Sequence, residues 1–398
     1  MKRAEAAGYD VYCGIDVGKD SHYARALAPD GEGELLSRAV AQDESELAAL
    51  FADLKSMGRV MAVVDQHSGF GALVASCARE AGVALACVPP SRFAKLRELS
   101  GEGKTDESDA LDLARLPVEA PRHVVWVPEP DDEAERAKVL VRYRHDSVCE
   151  RTRAYNRVHD ALNRVCPPLE ALLSGSALHS LLALSLLARH GALGLRSARR
   201  RDVVRWVRGR KGCGPAAEAA AVAMWEAARS STAELPAAGV LDEMLRVDCA
   251  RVIELERLDE ELSARIAELC ALVPEVEVAR TMPGVGEVYS RTIALEVGDV
   301  TRFRSASALA AYVGVGKCPK ESGKKRGKGR RRSYNRRLHT AMFESAKIAA
   351  RRPGPDRDYY LKKLAGDMNE HQALHALVRK RVTIIYAMLC NMEAYRAA

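Results

Sequence analysis

The stretch YDVYCGIDVGKDSHYARALAPDGEGELLSRAVA, residues 9–41, decides the fold at the start of the chain. Apolar and polar residues alternate through residues 9–18 and predict a strand that ends at Asp16. Residues 21–29 predict a second strand, which the turn sequence DGEG closes, and residues 35–41 predict a third. Three consecutive strands joined by short turns predict a meander.

Helices and strands alternate in the segment that follows. Asp43 and Glu46 have the spacing of a capping box, which predicts a helix that runs through Leu54. The near-continuous apolar runs at 59–65 and 83–89 predict strands that are buried on both faces. Further helices are predicted at 71–82, 91–99 and 105–116. The order β-β-β-α-β-α-β-α-α predicts a mixed five-stranded sheet with helices on its faces, the layout of the ribonuclease H-like nuclease fold.

The rest of the chain is predicted to be helical. A long charged helix ends at Pro167, and apolar residues of the next long helix, at 240–272, recur at steps of three or four, which predicts a coiled-coil seam or a bundle helix. The residues of this seam are Leu241, Leu245, Cys249, Val252, Leu255, Leu258, Leu262 and Ile266. We predict three domains: an α/β domain at 1–130, a helical coiled-coil region at 131–275 and a helical domain at 276–398.

The composition is that of a globular protein with an acidic partner. The 398 residues carry a net charge of +7, and basic residues cluster near 196–211 and 319–337. No stretch reaches the ~18 apolar residues of a membrane span, and the N-terminus lacks the apolar core of a signal peptide. The ten cysteines form no CxxC pair, which argues against zinc and disulfides and predicts reduced, buried thiols in a cytoplasmic protein.

Four aspartates are candidates for a metal site. Asp16 and Asp65 end the first and fourth predicted strands, which can lie side by side in this topology, and Asp106 and Asp109 share one face of a helix start. Phosphodiester chemistry uses two Mg²⁺ ions about 4 Å apart, held by such hard carboxylates. The alternative is that each acid forms a turn or a cap, as Asp106 could for its own helix.

Two glycines and one lysine are further candidate contacts to nucleic acid. The sequence Pro-Gly-Val-Gly puts Gly284 and Gly286 between two predicted helices, which resembles a helix-hairpin-helix element that grips the nucleic-acid backbone. A tight turn between packed helices is the alternative. Lys104 is either a phosphate contact or the lead-in to the helix of Asp106.

The basic run KESGKKRGKGRRRSYNRR, residues 320–337, predicts a nucleic-acid-binding segment. Nine of the fourteen positions from 324 to 337 are Lys or Arg, and each one that neutralises a phosphate adds a salt-dependent increment to affinity. On residues alone Ser322 is a loop serine, although a serine that loses its proton can attack phosphate and form a phosphoserine ester. The candidate phosphate contacts are Lys324, Lys325, Arg326, Lys328, Arg330, Arg331, Arg332 and Arg336.

Two blocks of the chain, at about 10–117 and 280–396, resemble one family of proteins. GIDVGKDSH, VVDQHSGFGAL and VPPSRFAKLRELSGEGKTDESDALDLA look like the RuvC-like DEDD domain of the IS110 family of insertion-sequence transposases. TMPGVGEVYSRTIALEVGD, the S-G pair with its basic run, and NRRLHTAMFESA look like the second domain of that family. Several long motifs in the same order make this resemblance specific.

The resemblance implies a DNA recombinase that a noncoding bridge RNA guides to the element ends and the target. In the family the DEDD acids bind Mg²⁺, and they correspond to Asp16, Asp65, Asp106 and Asp109. Asp65 stands where Glu is commoner. The serine that becomes joined to DNA corresponds to Ser322, and the middle helices correspond to a region that assembles homodimers and homotetramers. The expected location is the prokaryotic cytoplasm, in association with the nucleoid.

Two other functions agree with the same residues. One is a structure-selective, metal-dependent endonuclease of the RuvC kind, in which Ser322 takes no part. The other is a non-catalytic nucleic-acid-binding protein, in which the four acids are caps and turns. Residues from about 170 to 240 carry no motif that assigns them a role.

Overall fold

The computed structural model describes residues 4, 8–89, 92–94, 96, 105–127, 132–232, 235–316, 318–322, 325–329 and 334–396, with backbone only in the two short stretches 318–322 and 325–329. The chain forms two compact units, each built from separate segments. The first unit combines Met1–Pro130, Asp299–Tyr334 and Val378–Asn391, and the second combines Asp131–Gly298, Asn335–Leu377 and Met392–Ala398. The three continuous domains remain a prediction.

The strands all belong to the first unit. They are β1 (Val11–Asp16), β2 (Ser21–Leu27), β3 (Glu34–Ala41), β4 (Val60–Val64), β5 (Ala84–Cys87), β6 (Val125–Trp126), β7 (Cys318–Ser322) and β8 (Lys325–Gly329).

The α-helices are distributed over both units. They are α1 (Glu44–Ser56), α2 (Gly71–Glu80), α3 (Asp106–Glu119), α4 (Asp132–Val165), α5 (Pro167–Leu172), α6 (Leu181–Ser197), α7 (Arg200–Arg208), α8 (Pro215–Ser230), α9 (Ala238–Cys270), α10 (Pro274–Arg280), α11 (Glu287–Val297), α12 (Ala306–Val313), α13 (Arg336–Arg351), α14 (Pro355–Ala365) and α15 (Glu370–Asn391).

The large sheet of the first unit has the strand order β3-β2-β1-β4-β5-β6. The β3–β2, β2–β1 and β5–β6 pairs are antiparallel, and the β1–β4 and β4–β5 pairs are parallel. This confirms the predicted meander and the adjacency of the first and fourth strands. The prediction of five strands was wrong by one, because β6 is only two residues long and carries too short a pattern to be recognised.

Alternation along the strands divides the core of this unit into two layers. On one face Cys13 and Ile15 of β1 and Val64 of β4 pack with buried residues of α1 and α2. On the other face Tyr12 and Met61 pack with buried residues of α3. The sheet therefore has helices on both faces, as predicted, and the face that α3 covers is the one that matters for the candidate site.

The basic run contains a β-hairpin that the sequence analysis missed. Strands β7 and β8 pair antiparallel, with Ser322 opposite Lys325. Two residues, Gly323 and Lys324, separate the strands in sequence, and a two-residue connection that begins with Gly is typical of hairpins. The prediction that Ser322 is a loop serine was wrong, because strands this poor in apolar residues have no hydrophobic period to detect.

Helices α4 and α9 form an antiparallel pair in the second unit. Arg157 of α4 bridges Asp248 of α9 at 2.6 Å, whereas Arg144, earlier on α4, bridges Asp259, later on α9, at 2.7 Å. These cross-helix ion pairs fix the register of two helices that are each more than thirty residues long.

The apolar seam predicted on α9 is used within the chain. Leu245, Cys249 and Val252 are buried in one core cluster with Val158 and Leu162 of α4. Further along the helix, Leu262 and Ile266 join a second cluster with Ala137 of α4. The seam is therefore an intramolecular helix pair, which is the bundle-helix alternative of the prediction.

The described residues test two expectations that came from the composition. Among them, no helix is long and apolar enough to cross a membrane. The cysteines whose side chains are described are all free, and most are buried: Cys13, Cys77, Cys87, Cys166, Cys249 and Cys270. The prediction of buried, unpaired thiols is therefore confirmed for this part of the chain.

Candidate functional site

Asp16 and Asp65 lie at neighbouring strand ends. Asp16 is the last residue of β1, and Asp65 directly follows β4. The parallel pairing of these strands runs up to Ile15 opposite Val64, so the two aspartates come next in register. The backbone N–H of Val17 donates to Oδ1 of Asp65 over 3.4 Å, which ties the two strand ends together.

Both carboxylates belong to the face of the sheet that α3 covers. Ile15 and Val64 pack into the opposite layer, with α1 and α2. Because successive side chains of a strand point to opposite faces, Asp16 and Asp65 are directed to the α3 side. Both are half-buried there.

Gly14 brings α3 directly onto β1. A Cβ at this position would overlap the carbonyl oxygen of Ala110 and would lie 2.8 Å from Cβ of Leu113. The helix therefore rests on the strand two residues before Asp16, and its first turn is held near the strand end. Sequence reasoning did not identify Gly14, although a glycine inside a strand is a known signal of close backbone approach.

The first turn of α3 supplies the other two acids. Thr105 caps this helix: its Oγ1 accepts from the N–H of Ser108 over 3.0 Å, and Oγ of Ser108 accepts from the N–H of Thr105 over 3.1 Å. The alternative in which Asp106 is the cap is therefore wrong. Asp106 is exposed, whereas Asp109 is only 4% exposed.

The environment of Asp65 perturbs its carboxyl group. Burial raises the pKa of Asp65, backbone N–H groups including that of Val17 oppose the rise, and the negative charge of Asp109 adds to it. Asp65 and Asp109, which are far apart in sequence, thus interact through their charges. Negative charges at the same edge of the sheet favour a bound cation.

The donor atoms fit magnesium in type. Carboxylate oxygens are the hard ligands that Mg²⁺ prefers, and the repulsion between Asp65 and Asp109 is one that a cation would relieve. Within the described part of the chain, no group of three or more His, Cys, Asp or Glu side chains is arranged so that it could hold a metal ion. The four-carboxylate metal site therefore remains a prediction.

The Pro-Gly-Val-Gly segment joins α10 to α11 in the second unit. Gly284 has φ of 76°, and a Cβ there would lie 2.5 Å from the carbonyl oxygen of Ser345 in α13. This packing explains Gly284 without a ligand, as the tight-turn alternative requires. Gly286 is the N-cap of α11, and nothing lies within 4 Å of a Cβ built on it. Its contact with nucleic acid remains a prediction.

The basic run is described only in part. Ser322 is the last residue of β7, and Lys325, Arg326 and Lys328 belong to β8, but their side chains lie outside the description. Arg336 is exposed at the first position of α13. The other candidate contacts lie outside the described residues: Lys104, Lys324, Arg330, Arg331 and Arg332.

An ion pair with the buried carboxylate of Glu296 fixes the start of α13, at the end of the basic run. Arg142 of α4 holds both carboxylate oxygens of Glu296, at 2.7 and 2.8 Å, and Nδ2 of Asn335 donates to Glu296 over 2.7 Å. Burial works to raise the pKa of Glu296, but the hydrogen bonds from Arg142 and Asn335 outweigh it and lower the pKa. Asn335 also caps α13, since its Oδ1 accepts from the N–H of Leu338.

Comparison with known proteins assigns the chain to a family. Residues 13–167 match a family model described as a transposase, and residues 276–361 match the model of the transposase IS116/IS110/IS902 family. The chain is 31% identical to the insertion element IS116 uncharacterized 44.8 kDa protein of Streptomyces clavuligerus, over 98% of this chain and 96% of that protein. The chain belongs to the IS116/IS110/IS902 family of transposases.

Two more relatives of the IS116/IS110/IS902 family support this. The insertion element IS110 uncharacterized 43.6 kDa protein of Streptomyces coelicolor is 32% identical over 97% of this chain and 96% of its own length. The transposase for insertion sequence element IS1111A of Coxiella burnetii is 28% identical over 40% of this chain and 46% of its own length. The resemblance recognised from the sequence motifs is thereby confirmed.

Membership of the IS116/IS110/IS902 family gives the general activity: transposition of an insertion sequence, with cutting and rejoining of DNA. The first matched region contains all four candidate acids, and the second contains Ser322 and the basic run. Residues 168–275, which include α6 to α9, lie outside both matched regions.

Proposed function

We propose that this protein is a site-specific DNA recombinase that cuts and rejoins DNA through a magnesium-dependent carboxylate site and a covalent phosphoserine intermediate. The observation that carries the proposal is the placement of Asp16 and Asp65 at the adjacent ends of the parallel β1–β4 pair, on the face of the sheet against which Gly14 lets α3 pack. The strand order and the helices on both faces support a ribonuclease H-like assignment for this sheet.

In this mechanism the carboxylates bind and position the metal. Asp16 and Asp65 provide ligands from the sheet, and Asp106 and Asp109 provide them from α3. Bound Mg²⁺ would stabilise charge on the oxygens of the scissile phosphate. Gly14 keeps α3 against the strand, so that the acids of α3 and those of the strand ends would serve the same metal site.

Ser322 is the nucleophile in the proposed strand cleavage. A base removes the hydroxyl proton, Oγ forms an ester bond to phosphorus, and the DNA oxygen on the far side of phosphorus leaves and takes up a proton. The phosphoserine ester retains the energy of the phosphodiester, so a DNA hydroxyl can later attack it and release Ser322. The position of Ser322 at the end of β7, beside a basic hairpin, supports this role.

Nucleic-acid partners and assembly belong to the same proposal. The basic residues of 324–336 contact phosphates of the element ends and the target, and a noncoding RNA selects those sequences. The active form is a homodimer or homotetramer in the cytoplasm, associated with the nucleoid. The net charge of +7 and the nine basic residues in fourteen positions support a polyanionic partner.

Trapping the protein on cleaved DNA tests this function. The full chain is incubated with its element-end DNA, its guide RNA and Mg²⁺, and the DNA-linked peptide is identified by mass spectrometry. We expect the adduct at Ser322, with loss of adduct and strand exchange in Ser322→Ala. Ser333→Ala, a change to the other serine of the same run, is the matched control and should retain both. Mg²⁺-dependent cleavage that leaves no adduct would instead identify a structure-selective endonuclease.

A further inference from the structure

The second unit contains an open cavity of about 680 Å³ between α6, α7 and α9. This volume lies in the range of about 300–1,000 Å³ that is typical of ligand pockets. The cavity belongs to residues 168–275, which neither family model covers, and it plays no part in the proposed chemistry of the carboxylates and Ser322. We call it the arginine pocket, after Arg189, Arg210 and Arg246 in its lining.

The charge of the arginine pocket is entirely positive. Its three arginines come from different segments, and no Asp or Glu lines the cavity. Within the described residues, none of the three forms an ion pair. Other arginines of this unit are neutralised, such as Arg208 by Glu218 at 2.8 Å and Arg157 by Asp248 at 2.6 Å. The charge of Arg246 is felt by Asp242, four residues earlier on α9, but none of the three guanidiniums is held in an ion pair by a carboxylate of the described residues.

Neutral groups hold these arginines in place. Nη2 of Arg210 donates to Oγ of Ser185 over 3.2 Å, and its guanidinium lies 4.7 Å from the ring centroid of Trp206. The guanidinium of Arg189 lies 5.8 Å from the same ring, and Nε of Arg246 donates to the carbonyl oxygen of Ala188 over 3.4 Å. A guanidinium has five N–H donors, so several remain for a ligand.

A kink in α6 shapes the rim of the pocket. Gly191 has φ of 66° and interrupts the helix directly after Arg189 and His190. A Cβ on Gly191 would overlap the carboxylate of Asp242 in α9. Oδ1 of Asp242 accepts from the N–H of Ala192 over 2.6 Å and thereby caps the second half of α6. The Asp242 carboxylate is thus occupied by backbone N–H groups of the kink and forms no ion pair with the pocket arginines.

His190 adds a polar group that has no partner inside the described part of the chain. Its Nε2 is buried and makes no hydrogen bond there. Burial lowers the pKa of His190, and the charges of Arg189 and Arg246 lower it further. The imidazole is therefore neutral at pH 7, and an anionic ligand would give it a partner.

We infer that the arginine pocket binds backbone phosphates of a polynucleotide. Planar guanidinium groups recognise phosphate through paired N–H donors. The cavity is open and holds three separate arginines, which suits consecutive phosphates of a strand better than one small ion. The basic cluster at 196–211 continues from the pocket along α7. This inference rests on the proposed function only in that the partner is nucleic acid.

The test measures binding of the full chain as a function of salt, without any strand exchange. Single-stranded DNA, RNA of the same sequence and duplex DNA are the probes, and Arg189→Gln and Arg246→Gln are the variants. We expect each variant to bind at least one probe more weakly and to reduce the slope of log affinity against log salt by about 0.7–0.9, the value of one lost phosphate contact. The probe that is affected identifies the source of the phosphate.

Two controls make the result decisive. Arg265→Gln removes an exposed arginine from the same helix, α9, outside the pocket, and should leave the slope unchanged. Arg210→Lys keeps the charge in the pocket and should retain the slope. Equal slopes for wild type and pocket variants with all three probes, or an equal drop in Arg265→Gln, would overturn the inference. The inference would also be overturned if the pocket variants lost binding of inorganic phosphate but bound all three polynucleotides like the wild type. A failed recombinase mechanism would instead appear as missing adducts at Ser322 with these slopes intact.

Discussion

At the scale of single residues, Asp65 carries a charge in an unfavourable place. Its carboxylate is half-buried, and burial, with a smaller contribution from the charge of Asp109, raises its pKa. We therefore predict that Asp65→Asn increases the free energy of unfolding at pH 7 in the absence of divalent cations, while it abolishes transposition. Stability gained where activity is lost is a frequent sign of a functional site.

The pH dependence of this effect has a defined sign. Because the pKa of Asp65 is higher in the folded protein than the ordinary value of 3.8, the folded state holds the proton more tightly. The contribution of Asp65 to stability therefore falls as pH rises from about 3.8 through the raised pKa and is constant above it. Urea unfolding of wild type and Asp65→Asn over a pH series measures this. An advantage of the variant that does not grow over this window would contradict the assignment.

Magnesium should act on the same residues. We predict that Mg²⁺ raises the melting temperature of the wild-type protein, since a ligand that binds only the folded state stabilises it. The rise should be much smaller in Asp109→Asn. Asp53→Asn, which changes an exposed carboxylate on α1 of the same unit, is the control and should respond like wild type. Equal responses in all three proteins would move the metal site elsewhere.

At the scale of elements, the contact between β1 and α3 depends on one glycine. Gly14→Ala puts a methyl group into the backbone of Ala110 and Ala114, so we expect a loss of about 1–3 kcal/mol in the free energy of unfolding. The displaced α3 should also weaken the response to Mg²⁺. Gly239→Ala in α9 is the control, because nothing lies within 4 Å of its added Cβ, and we expect little change or a small gain. Calorimetry of both variants measures these changes in stability, and an equal effect of the two substitutions would contradict the prediction.

Three helices of the second unit depend on the carboxylate of Glu296. Glu296 is 3% exposed and receives hydrogen bonds from Arg142 of α4 and from Asn335, the cap of α13. Glu296→Gln leaves the guanidinium of Arg142 with a poorer acceptor. We expect a loss of about 1–3 kcal/mol in the free energy of unfolding, measured by chemical denaturation. Glu268→Gln, on the exposed face of α9, should change it little. Equal stability of the Glu296→Gln and Glu268→Gln variants would show that the Arg142–Glu296 ion pair makes no net contribution to stability.

At the scale of the whole molecule, the helix pair leaves apolar surface exposed that the proposed assembly would use. Val240, Met244 and Val247 of α9 are 62%, 52% and 66% exposed and follow helical spacing, apart from the seam that faces α4. If protomers join through this stripe, Met244→Glu should shift the protein from dimer or tetramer to monomer in sedimentation experiments. Val288→Glu, on α11, should not. An unchanged mass for Met244→Glu would exclude the stripe as an interface.

Much of the fold was predictable from local sequence patterns. The rest depends on contacts between segments that are distant in sequence, and these could not be predicted. Strands β1 to β5 follow from alternation or apolar runs, and Asp16 and Asp65 follow from their positions at strand ends. The roles of Gly14 and of Gly191 depend on which backbone or carboxylate arrives from a distant segment, here Ala110 and Asp242. The arginine pocket was equally hidden, because its arginines are separated by long stretches of sequence and share no motif.

The division of the chain into interleaved segments has a consequence for its synthesis. The unit that holds Asp16 and Asp109 also includes Val378–Asn391, which follows the acids only after the whole of the second unit's first two segments. A nascent chain that already carries all four acids therefore lacks part of the unit that contains them until Asn391 has been added. Chains released early would lack this segment, so premature termination would yield an incomplete acidic unit rather than a free-standing nuclease.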